Sequence, residues 1–95
     1  MEFTDPALQG LAEMKKPDRR LVLDGIRLHL IDNNPTEITR NKFPLRRPSQ
    51  HAERELRLGN WRVFYSVIED ELVLVNLIGE KRDNKLVIGG EDFEL

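Results

Sequence analysis

ERELRLGNWRVFYSVIEDELVLVNLIGEKRDNKLVIGG, from Glu53 to Gly90, carries the strand signals of the chain. Trp61, Val63, Tyr65 and Val67 alternate with Arg62, Phe64, Ser66 and Ile68, the period of a strand with two different faces. Glu53 to Arg57 reads as a short polar strand, and Leu58-Gly59-Asn60 as the turn between the two. Glu69-Asp70 allows a tight hairpin into Glu71–Ile78, whose near-continuous apolar run suits a central strand. Gly79 to Asn84 reads as a charged loop and Lys85 to Ile88 as a last strand, after which Gly89-Gly90 release an acidic tail.

The residues before this stretch read differently. Met1 to Thr4 form at most a short edge strand. Asp5 followed by Pro6 reads as an N-cap with proline at the first helical position, and Leu8, Leu11 and Met14 follow at helical spacing. Pro17 interrupts this helix, and a second, longer one is expected over Asp18–Asp32, with Val22, Ile26 and Leu30 on its apolar stripe. Asn33, Asn34 and Pro35 end it. The predicted organisation is one domain over residues 1–95: a helical hairpin at about 5–32, a basic connection at 36–52, a sheet at about 53–88 and an acidic tail at 89–95. Helices and strands are segregated rather than alternated, so the expected class is α+β, with the hairpin packed on a mainly antiparallel sheet.

Composition narrows the function. A chain of 95 residues supports one modest core. Without cysteine there are no disulfides, no thiolate catalysis and no Cys-ligated zinc. No apolar run is long enough to span a bilayer and no signal-peptide pattern opens the chain, so no membrane partner and a cytoplasmic location are expected. The formal net charge is −2, but it is unevenly placed. Between Thr36 and Arg62, Arg40, Lys42, Arg46, Arg47, Arg54, Arg57 and Arg62 face only Glu37, Glu53 and Glu55, whereas the rest of the chain is acidic. Such polarity matters more than the total for an anionic partner.

Arg57, Arg62, Lys81, Arg82 and Lys85 fall on or beside neighbouring strands, where a hairpin sheet can bring such positions together. Arginine suits a phosphate because its planar fork pairs phosphate oxygens and never loses its charge. The competing reading is that these arginines pair with Glu53, Glu55 or Asp83 on a solvated face. Proton-transfer candidates are few: His29 in the second helix reads as a surface or half-buried residue, His51 lies beside the basic stretch, and Tyr65 shares the core face. Phe64 shares the Arg62 face and suits stacking on a base or packing beneath a loop. Two distant histidines and scattered carboxylates form no metal pattern, and Gly89-Gly90 opens no helix to cradle a phosphate. No metal or other cofactor is expected.

The helical hairpin followed by ELRLGNWRVFYSVIEDELVLVNLIGEKRDNKL resembles the RelE/ParE superfamily of bacterial toxins over nearly the whole chain. The polar strand, glycine turn, aromatic-Arg-Val-x-Tyr strand and acidic hairpin occur in that family's order, and Gly79 to Arg82 adds a second match. The resemblance implies two helices on an antiparallel sheet and a cognate antitoxin that folds as it wraps the toxin. It implies one of two activities. RelE-like members cleave mRNA in the ribosomal A site without a metal, and ParE-like members inhibit DNA gyrase; a weakened, non-catalytic member is a third reading. In the nuclease branch Arg62 matches the arginine on the scissile phosphate, Arg82 with Lys81 the later cation, and Arg57 the basic polar strand. Glu55 is a candidate base, and Arg46, Arg47, Arg54 and Phe64 are candidate nucleic-acid contacts. The chain departs from that branch at Glu53 and Glu55, where the nucleases carry lysines. It also lacks their C-terminal tyrosine, whose place falls among Leu86, Val87 and Ile88.

Overall fold

The computed structural model describes residues 1–49, 52–69, 72–88 and 91–93, with the backbone alone at 47–49 and 93. Among them are two helices, α1 (Asp5–Glu13) and α2 (Lys16–Ile26), and seven strands. The strands are β1 (Glu2–Phe3), β2 (Lys42–Ser49), β3 (Ala52–Leu58), β4 (Trp61–Ile68), β5 (Leu72–Arg82), β6 (Lys85–Ile88) and β7 (Glu91–Phe93). They form one open sheet in the order β2-β3-β4-β5-β6-β7 with antiparallel neighbours, and β1 pairs parallel to β5. The helices precede the main sheet in sequence and cover one of its faces, which makes the fold α+β.

The period-2 reading of β4 holds. Val63 and Tyr65 enter the main core with Leu56, Val73, Val75 and Ile78, and meet Ala7, Leu11, Met14, Val22, Ile26 and Leu30 from the helical side. Phe64 joins a smaller cluster on the opposite face with Ala52 and Leu77, flanked by Leu45, Leu86 and Ile88. A register shift in β5 between Leu77 and Val75 lets both faces stay apolar through the middle of the sheet.

Four expectations are corrected. The stretch 36–52 is not only a connection, because Lys42–Ser49 forms β2. Pro44 and Pro48 are tolerated there because β2 is the outermost strand, where a missing N–H need not face a neighbour. The expected loop from Gly79 to Asn84 is mostly strand: β5 continues to Arg82, and only Asp83-Asn84 turn, both with positive φ as a type I′ hairpin demands. The acidic tail contributes β7, paired with β6. The cap of α1 is Thr4 rather than Asp5: its Oγ1 accepts from the Ala7 N–H at 3.2 Å and donates to the Asn76 carbonyl at 2.6 Å, fixing α1 to β5.

The hairpin bends at Met14-Lys15, both extended, and Pro17 lies in the first turn of α2 instead of breaking a helix. Arg19 closes the bend by donating to the Leu11, Ala12 and Met14 carbonyls at 2.9, 3.3 and 3.0 Å, of which that of Leu11 also accepts from the Met14 N–H at 3.2 Å. After Ile26 the helix widens into a π-turn over Arg27–Ile31. Its exit is held by Lys42, which is only 1% exposed and donates to the carbonyls of His29 at 2.6 Å and Asn34 at 2.8 Å.

The loop that follows is tied to the sheet by Tyr65, whose hydroxyl donates to the Pro35 carbonyl at 2.8 Å. Burial raises the Tyr65 pKa above its ordinary 10.0, and Arg54 opposes that shift. The folded state therefore holds its proton to higher pH than the unfolded chain does. This contribution to stability is complete below pH 10.0 and is lost as pH rises through the raised value. Because the chain has one tyrosine, tyrosinate absorbance reports this group alone. The titration is expected to lie above 10.0 and to follow loss of the fold; a tyrosinate forming in folded protein at its ordinary pKa would refute the buried placement.

Candidate anion site

The site lies on the sheet face away from the helices, built by alternation on three adjacent strands. On β3, Leu56 points to the core, so Glu55 and Arg57 point to the open face. Gly59, at φ 61°, and Asn60 form a two-residue turn that sets Leu58 opposite Trp61 and hence Arg57 opposite Arg62. On β5, Gly79 faces Arg62 and Lys81 follows on the same side. Gly79 is required by close approach: a Cβ there would lie 2.7 Å from Ile88 Cγ1 and 2.9 Å from the Val87 carbonyl oxygen. That approach brings β6 inward and adds Leu86 and Lys85 to the rim.

The result is a hollow of about 550 Å³. Leu45, Phe64 and Leu86 make its apolar lining, Arg57, Arg62, Lys81 and Lys85 its cations, and Glu55, Asn84 and Asp92 its remaining polar groups. Like charges set directly across two strands repel, and Glu55 offsets this. Its Oε2 accepts from Arg57 Nε at 2.5 Å and lies 3.9 Å from Arg62 Nε. The Glu55 side chain is 11% exposed and that of Arg62 14%, whereas Arg57 is about half exposed. Arg57 also lies over the Phe43 ring, 4.9 Å from its centroid, a cation–π contact that restrains its swing.

Arg62 is held more firmly. Its Nη1 donates to the carbonyls of Gly59 at 2.7 Å and Trp61 at 3.0 Å, which anchors the guanidinium to the β3–β4 turn. Desolvation, and then Arg57, push its pKa down, and Glu55 pushes it back; an arginine so placed stays charged at any physiological pH. Nη1 is committed to the backbone, which leaves the Nε and Nη2 edge for a ligand. Two guanidiniums of fixed spacing around one carboxylate, with amines at the rim, can bind an oxyanion bidentately. A carboxylate among them can also take a proton from a hydroxyl brought against it.

Not all the residues expected at the site are there. Lys81 is, but Arg82 lies on the helical face, where its Nε and Nη2 meet Glu80 Oε1, each at 2.6 Å. It lines a second hollow of about 180 Å³ with Gly10, Glu13, Met14 and Trp61. Arg54 also faces the helical side, donating to the Thr36 carbonyl at 3.3 Å. Arg46 is exposed on the edge strand β2. The Arg47 side chain and His51 lie outside the described residues. Phe64 is corrected from stacking platform to floor: at 2% exposure its ring is covered by its own cluster and offers no free face to a base. His29 is half-buried at the π-turn, and its pKa is lowered first by desolvation and then by Lys42.

Lys85 was legible as one of the cations of the Glu53–Gly90 stretch, whereas Leu45, Asn84, Leu86 and Asp92 were not legible as lining residues. Asp92 carries a signal only once β7 is known to fold back on β6, where its side chain approaches that of Lys85 to 3.5 Å. Among the described residues, no three His, Asp or Glu side chains converge in a way that would hold a metal ion, and no helix is long and apolar enough to cross a membrane. Compared with models of known protein families and with curated proteins, the chain matches none of them.

Proposed function

We propose that the protein is the toxin of a type II toxin–antitoxin pair with a RelE/ParE-like fold, and that it cleaves mRNA on the ribosome without a metal. The observation that carries this reading is the Arg57–Glu55–Arg62 group, with Lys81 beside it in an open hollow. In the proposed reaction the 2′-oxygen attacks the adjacent phosphorus, and Glu55 accepts the 2′-proton. Arg57 and Arg62 carry the charge that develops on the equatorial oxygens. The P–O5′ bond breaks, Lys81 supplies the proton to the leaving oxygen, and the products are a 2′,3′-cyclic phosphate and a 5′-hydroxyl. Arg82 has no part in this scheme, because it faces the other side of the sheet.

Leu8, Leu21, Leu28 and Ile31 are exposed on the helical hairpin, an apolar surface that supports the expected antitoxin partner. The reading also places the protein in the cytoplasm with its ribosomal target. A second reading, inhibition of DNA gyrase by binding, is favoured by the two Arg62 donors committed to its own turn and by the distant Arg82. A ribosome-directed protein is also usually more basic than a chain of net charge −2.

The deciding experiment adds purified protein to mRNA on programmed ribosomes and, in parallel, to a gyrase supercoiling reaction. Cleavage within the A-site codon with supercoiling unaffected is the expected result. Intact mRNA together with blocked supercoiling would replace the nuclease reading by the gyrase one. No effect in either assay would leave the weakened, antitoxin-binding member as the reading to adopt.

A further inference from the structure

We infer that Glu55 is the resident anion of the hollow, and that a phosphate group binds by taking its place on Arg57 and Arg62. The inference rests on the phosphate-directed reading of this site and deepens it, by assigning the residue that sets the affinity.

The geometry argues for a seat already filled. A cation pair set directly across two strands is unfavourable unless an anion lies between, and Glu55 Oε2 lies there, 2.5 Å from Arg57 Nε and 3.9 Å from Arg62 Nε. An incoming phosphate seeks these same guanidiniums: Arg62 Nη1 is spent on the Gly59 and Trp61 carbonyls, which leaves the Nε and Nη2 edge, and Glu55 already stands beside its Nε. Lys81 and Lys85 lie at the rim, and Asp92 is engaged with Lys85, 3.5 Å away, rather than with either arginine. The two carboxylates of the hollow therefore differ: one occupies the arginines and the other does not. A bound phosphate must either displace the Glu55 carboxylate or meet it as a like charge at close range, and both weaken binding in the resting protein. Once displaced, Glu55 loses its guanidinium partners and is left as an acceptor beside the bound group. Ligand arrival and the availability of a base are then one event.

The test is a calorimetric titration of the full chain with inorganic phosphate at fixed pH and ionic strength, comparing wild type, Glu55→Gln and Asp92→Asn. The Glu55→Gln substitution keeps the size and the acceptor but removes the charge. E55Q is expected to bind phosphate about tenfold tighter or more, and D92N less than about threefold tighter, since a nearby like charge acts most strongly at shortest range. Equal gains for the two variants would reduce the effect to overall charge and overturn the proposal, as would unchanged or weaker binding by E55Q.

A second measurement needs no variant. In the wild type, the Arg57 and Arg62 Nε–H resonances are expected to move together as phosphate saturates. Saturation that moves neither would overturn the proposal whatever the cleavage assay shows. Tighter phosphate binding by E55Q in a protein that leaves ribosomal mRNA intact would uphold the anion seat while the nuclease reading fails.

Discussion

Under the proposed nuclease activity, Arg62→Ala is expected to reduce mRNA cleavage by about 100-fold to 1,000-fold, the usual loss when one preorganised donor to a developing oxyanion is removed. The expectation follows from how Arg62 is fixed. Its Nη1 is clamped by the Gly59 and Trp61 carbonyls, and its side chain is largely shielded from water, so its charge is already oriented before a substrate arrives. The same clamp means that the substitution also removes two hydrogen bonds from an exposed turn. That structural cost is about 1 kcal/mol, or roughly 5 °C of melting temperature for a domain of this size. The two effects separate cleanly: a cooperative unfolding transition a few degrees lower, with cleavage nearly gone. Arg62→Lys restores the charge without the fork and is expected to recover less than about a tenth of the lost rate. Arg57→Ala is expected to lose less, about tenfold, because Arg57 is half exposed and held by one carboxylate and the Phe43 ring. A folded R62A protein that cleaves at the wild-type rate would remove Arg62 from the mechanism.

The Arg57–Arg62 pair was legible in the sequence for a definite reason. A two-residue turn at Gly59-Asn60 fixes the register of both strands, and alternation then places side chains without further information. The core side of β4 was legible on the same ground, since Val63 and Tyr65 are covered by the helices and the opposite side is more polar. The signal failed where a strand has no buried face of its own to announce it. β2 is an edge strand with two prolines and a run of cations, and its sequence has no period to read. The misplacement of Arg82 came from taking Gly79–Asn84 as a loop. Lys81 and Arg82 are neighbours in sequence, and in a loop both can turn toward one ligand. In a strand they cannot: β5 continues through both, and consecutive side chains go to opposite faces. The fold class therefore followed from long segments with strong patterns, whereas the composition of the site depended on where β5 ended, by three or four residues.

Lys42→Met will destabilise the fold by about 3 kcal/mol, lowering the melting temperature by about 15 °C, more than loss of any single exposed ion pair among the described residues. Lysine is among the residues least often fully buried, yet Lys42 faces the helical side of β2, opposite Leu56, at 1% exposure. Desolvation lowers its pKa, and Glu37, at 4.0 Å, pushes it back. The ammonium remains because it supplies donors where the chain needs them. The π-turn ends with carbonyls that have no helical continuation, and Lys42 serves that of His29 and, beyond it, that of Asn34. One side chain on the edge strand thus holds the C-terminal end of the helical hairpin and the start of the following loop. Methionine retains the apolar stem in nearly the same volume, so its packing survives and only the donors are lost. Lys42→Ala removes the stem as well and should cost more than K42M, the difference reporting the cavity. The comparison needs only denaturant melts of the two variants, with the fluorescence of the single tryptophan, Trp61, as the signal. A K42M protein as stable as wild type would mean that the His29 carbonyl finds another donor. In the folded protein both carbonyls accept from this one ammonium, and that of Asn34 also accepts from the Glu37 N–H at 3.1 Å, so losing the ammonium frees the helix end while the loop keeps one donor.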